Sequence, residues 1–123
     1  MAKTAWINLH TQKVEIEETP KNLLKQFIGS RGIAAKVLYD LVGPEIGPFD
    51  DDNRLIFSTG PFTGTPWPSA ARYTVTAKSP ATGAYGYANS SGFFGPQMRR
   101  AGYDMFVITG KAEVPTYLYV EDD

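Results

Sequence analysis

The chain has 123 residues, 42% of them apolar, a formal net charge of −1, one histidine and no cysteine. This supplies one core, hence a single domain over 1–123, and gives no basic footprint for nucleic acid or an anionic membrane. No disulfide, thiolate nucleophile, Cys-ligated cluster or His-rich metal site can be built from these residues, and with no run of about 20 apolar residues and no leader-like N-terminus the expected location is the cytoplasm.

Residues 4–9 and 13–17 alternate as two strands, with Ile7 and Leu9, then Val14 and Ile16, on single faces, joined as a hairpin by His10-Thr11-Gln12. Thr19-Pro20 is a helix start, the hydroxyl capping and the proline fitting the first turn. Leu23, Leu24, Phe27 and Ile28 predict one apolar face over 20–28. Gly29-Ser30-Arg31-Gly32 interrupts it, either as a tight structural turn or as one carrying an anion-facing arginine. Ile33, Ala34, Val37, Leu38 and Leu41 then recur at helical spacing over 33–42. Gly43-Pro44 ends this helix.

Residues 43–96 hold 8 of the 12 glycines and 7 of the 9 prolines, so the middle of the chain is rich in loops, where sites usually lie. Asp50-Asp51-Asp52 lacks the spaced ligands of a calcium loop and reads as a solvated turn. Leu55-Ile56-Phe57 is a short buried strand, followed by the turn-bearing loop from Gly60 to Pro68. From Arg72 to Lys78 the alternation predicts a strand with Tyr73, Val75 and Ala77 on the core face and Arg72, Thr74, Thr76 and Lys78 on a polar one. Residues 84–88 predict another strand and 93–101 a short helix packing Phe93, Phe94, Met98 and Ala101 on the core. Residues 104–109 and 116–120 predict a final strand pair. Without regular βαβ alternation, the fold class is α+β: an antiparallel or mixed sheet with two to three short helices.

Besides the Gly29–Gly32 turn, two features could hold an anion. Asn89-Ser90-Ser91-Gly92 precedes the helix opening at Phe93, where free N–H groups favour phosphate, although a simple cap is the commoner use of such residues. Arg72, beside the small Ala70 and Ala71, could hold a phosphate bidentately or be merely solvated. Lys78 lies about 20 Å along the strand from Arg72, too far to share one phosphate unless the strand bends. No familiar Gly-rich nucleotide loop occurs.

The runs Leu55 to Thr65, Arg72 to Pro80, Ala88 to Gly95, Ala101 to Asp104 and Gly110 to Glu113, with Gly29 to Gly32, appear in an order and spacing that resembles the N-terminal domain of the tungsten-containing aldehyde:ferredoxin oxidoreductases, from Trp6 onward. The resemblance implies oxidation of aldehydes to carboxylic acids, with electrons leaving through a [4Fe–4S] cluster to ferredoxin. It also implies tungsten, or molybdenum in some relatives, on a bis-pterin cofactor (tungstopterin) whose phosphates share a magnesium ion. Arg72 falls on the family's pterin-contacting arginine, and Asn89 on the asparagine whose main-chain carbonyl meets magnesium. Ser91 stands where glycine is usual, placing a side chain near the cofactor, and Ala70-Ala71 stands where Gly-Gly is common. Cluster cysteines and the residues nearest the metal belong to later domains. The second half of the family's N-terminal domain has no counterpart in these residues, so the sequence is expected to be an expressed fragment or a separately encoded piece, inactive alone and exposing an apolar patch. A small anion- or pterin-binding module without redox activity, and a fragment docking on a partner subunit, are the alternatives.

Overall fold

The computed structural model describes residues 2–121, so the extreme ends of the expected 1–123 domain lie outside the described residues. Along the chain run β1 (Lys3–Asn8), β2 (Lys13–Glu18), α1 (Lys21–Phe27), α2 (Ser30–Leu41), β3 (Leu55–Thr59), β4 (Tyr73–Lys78), β5 (Tyr85–Ser90), α3 (Phe94–Arg100) and β6 (Tyr103–Thr109). The strands form one mixed sheet in the order β2-β1-β6-β3-β4-β5. Only β1 and β6 pair in parallel; β1–β2, β3–β6, β3–β4 and β4–β5 are antiparallel. This is the α+β mixed sheet that the sequence pattern implies.

The last strand in sequence is central in space. β6 is buried from Tyr103 to Ile108 because β1 and β3 flank it and both faces of the sheet are covered. On one face, Ile33, Ala34, Val37 and Leu38 of α2 meet Ile56, Met105 and Val107, with Leu23, Leu24 and Phe27 of α1 beside them. Each large aliphatic side chain buried there contributes about 1.5–3 kcal/mol. On the other face Met98 of α3 joins Ala5, Ile7, Tyr103, Phe106 and Ile108. Arg99 of α3 forms an ion pair with the buried Asp104 of β6 and so ties helix to sheet.

The structure corrects several expectations. Thr19 does not cap α1: its hydroxyl lies 2.9 Å from that of Thr4, and α1 starts after Pro20 without a side-chain cap. The break between α1 and α2 is narrower than Gly29–Gly32, since α2 begins at Ser30 and contains Arg31 and Gly32. Gly32 is required by close approach, because a Cβ there would stand 2.4 Å from the Phe27 carbonyl oxygen. Residues 116–120 form no strand: β6 already has β1 and β3 on its two edges, leaving no position beside it. Ile28 and Phe93 are exposed rather than core, Phe93 at 85%.

The face assignment on β4 is also reversed. Thr74 and Thr76 are buried, whereas Tyr73, Val75 and Ala77 are half-buried. α2 covers the threonine side, where the methyl groups pack and the hydroxyls find partners: Thr76 Oγ1 lies 3.2 Å from the Tyr85 hydroxyl. Tyr73 instead joins Phe57 and Phe94, with ring centroids at 6.3 and 4.7 Å.

Candidate functional site

Seventeen positions separate Arg72 from Asn89, and the β4–β5 hairpin cancels that separation. Tyr73 pairs with Ser90 and Thr74 with Asn89, so Arg72, immediately before β4, stands opposite Ser91 at the open end of the hairpin. The two candidates for anion binding therefore meet at one end of the sheet. Alternation along the strands sets Arg72 and Thr74 on the same side as Asn89 and Ser91.

The helix-terminus reading of residues 89–92 fails. Asn89 and Ser90 belong to β5, α3 starts at Phe94 after Phe93, and no side chain caps it. What the segment offers instead is strand backbone. Ser79 N–H donates to the Ala84 carbonyl at 2.8 Å, which makes Ser79/Ala84 a hydrogen-bonded pair continuing the register of Lys78 and Tyr85. Bonded and non-bonded pairs alternate in an antiparallel ladder. Ala77/Gly86, Val75/Ala88 and Tyr73/Ser90 are then bonded pairs, and Thr74/Asn89 is a non-bonded one. Because β5 is the outermost strand, the main-chain N–H and C=O of Asn89 point out from the sheet edge, and neither has a backbone partner among the described residues.

The Asn89 side chain is held from the opposite direction. Its Oδ1 accepts from Thr74 Oγ1 at 2.9 Å, and Thr74 Oγ1 lies 2.8 Å from Ser30 Oγ at the start of α2. Arg72 is exposed; its carbonyl accepts from Thr63 Oγ1 at 2.8 Å, and among the described residues its guanidinium has no ion pair or hydrogen bond. Gly95 packs α3 against the strand leading into Arg72, since a Cβ there would come within 2.9 Å of the Ala71 carbonyl oxygen. The hairpin end thus carries an unpaired cation and an unpaired carbonyl on its two neighbouring strands. That pairing suits a phosphate together with a hard cation that takes oxygen ligands and keeps water in its remaining positions. Among the described residues, no group of three or more His, Cys, Asp or Glu is placed to hold a metal.

Sequence reasoning missed the aromatic part of this face. Arg31 lies over the Tyr87 ring at 4.7 Å, and Tyr87 sits 6.0 Å from Tyr85. Tyr85, Tyr87 and Asn89 alternate on one side of β5, a period-2 signal legible in the sequence once the strand is extended to residue 90. Lys78 does not reach the site. Its ammonium donates to the carbonyls of Gly43, Pro44 and Ile46 and closes the end of α2. A cavity of about 620 Å³ between α2 and the β4–β5 turn, lined by Leu38, Tyr39, Val42, Lys78 and Tyr85 among others, lies at the far end of the hairpin from Arg72.

The family model described as aldehyde ferredoxin oxidoreductase, N-terminal domain, matches residues 4–123. Over 117 residues, 95% of this chain, the sequence is 44% identical to a tungsten-containing aldehyde ferredoxin oxidoreductase of Pyrococcus furiosus. It is 43% identical over the same length to the Thermococcus kodakarensis protein of that name. The chain spans 19% of the length of each of these relatives. Among solved structures, the active-site complex BamBC of benzoyl coenzyme A reductase, bound to 1,5-dienoyl-CoA, superposes with a TM-score of 0.88 at 32% identity. That match covers 90% of this chain and 17% of the other.

Proposed function

Since the chain belongs to the aldehyde ferredoxin oxidoreductase family, whose N-terminal domain it represents, we propose that it forms one wall of the tungsten–pterin site in a larger aldehyde-oxidising enzyme. The observation that carries this reading is the outward main-chain carbonyl of Asn89 at the same end of the hairpin as the unpaired Arg72 guanidinium. Arg72 would hold a cofactor phosphate or pterin edge through charge-assisted hydrogen bonds. The Asn89 carbonyl would take one position on the magnesium ion, and Ser91, opposite Arg72, would line the approach with its hydroxyl. When bound, the tungsten–pterin group supplies the two-electron oxidation of an aldehyde to a carboxylic acid.

This chain's share is binding and orientation. It has no cysteine, so the thiolates of a [4Fe–4S] cluster, and with them the electron path to ferredoxin, belong to the rest of the enzyme. The domain is shared with relatives whose names differ in the molecule they handle, an aldehyde in one and a coenzyme A thioester in another, which supports assigning substrate choice to the other domains. In the complete oxidoreductase, Arg72→Ala removes about 1.5–3 kcal/mol of charged hydrogen bonding. Tungsten or molybdenum per protomer, by elemental analysis, is expected to fall further than the turnover of the molecules that keep their metal. Unchanged loading with unchanged turnover removes Arg72 from the site.

A further inference from the structure

The geometry points to a second contact at Asn89: its side-chain amide donates through Nδ2 to an anionic oxygen of the ligand, a phosphate oxygen adjoining the cation on its own carbonyl, and Thr74 and Ser30 are positioning residues that fix this orientation. The inference rests on the platform reading above and adds to it a specific atom and the hydroxyl chain behind it.

The structure sets the Asn89 amide with Oδ1 toward Thr74, and the hydrogen-bond directions follow from that orientation. Thr74 Oγ1 has one proton and gives it to Asn89 Oδ1 at 2.9 Å. The contact between Thr74 and Ser30 at 2.8 Å then has to run from Ser30 Oγ–H to Thr74 Oγ1. The chain of donors is therefore Ser30 to Thr74 to Asn89, and it consumes the acceptor end of the amide. Thr74 is 3% exposed, so this part-buried bond is shielded from water on the threonine side. Nδ2, with two protons, has no partner among the described residues, and Asn89 is an exposed residue. A free asparagine amide flips readily between presenting oxygen and presenting nitrogen; this one is set to present only donors. Donors suit an anion and reject a bare cation, which complements the main-chain carbonyl of the same residue. Asn89 thus offers an acceptor for the metal and a donor for the phosphate.

The sequence feature explained is Gly29-Ser30-Arg31-Gly32. Gly32 lets α1 and α2 approach closely enough, and Ser30 at the head of α2 carries the hydroxyl that starts the chain.

The test uses the 123-residue chain, labelled with nitrogen-15 and titrated with magnesium pyrophosphate. The expected result is that the Asn89 side-chain amide protons move with the same saturation curve as the backbone amides of Arg72 and Ser91. Thr74→Val, which keeps shape and removes the hydroxyl, is expected to weaken apparent affinity by roughly three- to tenfold, the effect of one hydrogen bond. Thr74→Ser, which keeps the hydroxyl and guards against misfolding of the valine variant, is expected to restore both shift and affinity. If the Arg72 and Ser91 amides respond while the Asn89 side chain stays still, the second contact is overturned and the platform reading stands. If none of the three responds, the platform reading falls as well. If the Asn89 amide moves but Thr74→Val leaves the affinity unchanged, the hydroxyl chain has no positioning role.

Discussion

Arg99 and Asp104 show how much a single residue can carry in a domain of this size. The carboxylate is buried near the start of the central strand β6, and its second oxygen, Oδ2, has no hydrogen-bond partner among the described residues. Burial also lowers the pKa of the Arg99 guanidinium from its ordinary value, since desolvation disfavours the charged form. Each charge is therefore tolerable only with the other present. Arg99→Met is expected to cost about 3 kcal/mol, at the lower end for a broken buried pair because the guanidinium keeps some solvent contact. The double variant Arg99→Met, Asp104→Leu should recover most of that loss, because no charge is then left unpaired. Urea midpoints at constant slope measure both; a double variant as unstable as the single one refutes the argument.

At the scale of elements, α3 is short and is held by close contact rather than by caps. Gly95→Ala would bring a Cβ to 2.9 Å from the Ala71 carbonyl oxygen and 3.1 Å from Thr63 Cγ2. The expected cost is about 1–3 kcal/mol by chemical denaturation, together with a displaced Arg72 and a weakened response to magnesium pyrophosphate. Which elements were legible in the sequence follows from the range of the interactions that define them. The first hairpin and the α2 stripe of Ile33, Ala34, Val37 and Leu38 depend on neighbours a few residues away and were readable. The buried side of β4 was not, because threonine looks polar until α2 is laid over it and its hydroxyl is given a partner. Tyr117 to Val120 have the composition of a strand, but strand formation needs a free edge, and β6 has none. Of the site, Arg72 and Asn89 were legible as residue types, while the outward turn of the Asn89 carbonyl required the register fixed by Ser79 and Ala84. Amides of residues 112–120 make no backbone hydrogen bond among the described residues, so their hydrogen exchange is expected to be nearly unprotected, with β6 the slowest to exchange.

The molecule as a whole leaves large apolar side chains in water. Phe62 and Trp67, tilted together at 5.8 Å, are mostly exposed, and so are Phe93 and Tyr117. On β2, Val14 and Ile16 are also exposed, beside a cavity of about 300 Å³ that Leu118 and Val120 help to line. A chain that spans a fifth of its relatives' length is expected to present such surfaces, and at high concentration they should drive reversible association. Sedimentation velocity across a concentration series measures this. Phe62→Ser with Trp67→Ser should reduce the association, and a wild-type chain that stays monomeric throughout would contradict the expectation.

The β4–β5 hairpin also has a reading frame. Odd-numbered residues of β4 spend their main-chain groups on β5, while those of Asn89 are free only because it sits opposite an even one. Deleting one residue between Tyr85 and Ala88 would keep every chemical group of the site, yet it would turn the Asn89 carbonyl inward to β4 and send its side chain through to the opposite face of the sheet. The loop from Gly60 to Ala71 pairs with no strand and can change length without this penalty. Insertions and deletions in the loop before Arg72 should therefore leave the hairpin register intact, whereas those within β5 should be as damaging as loss of Asn89 itself.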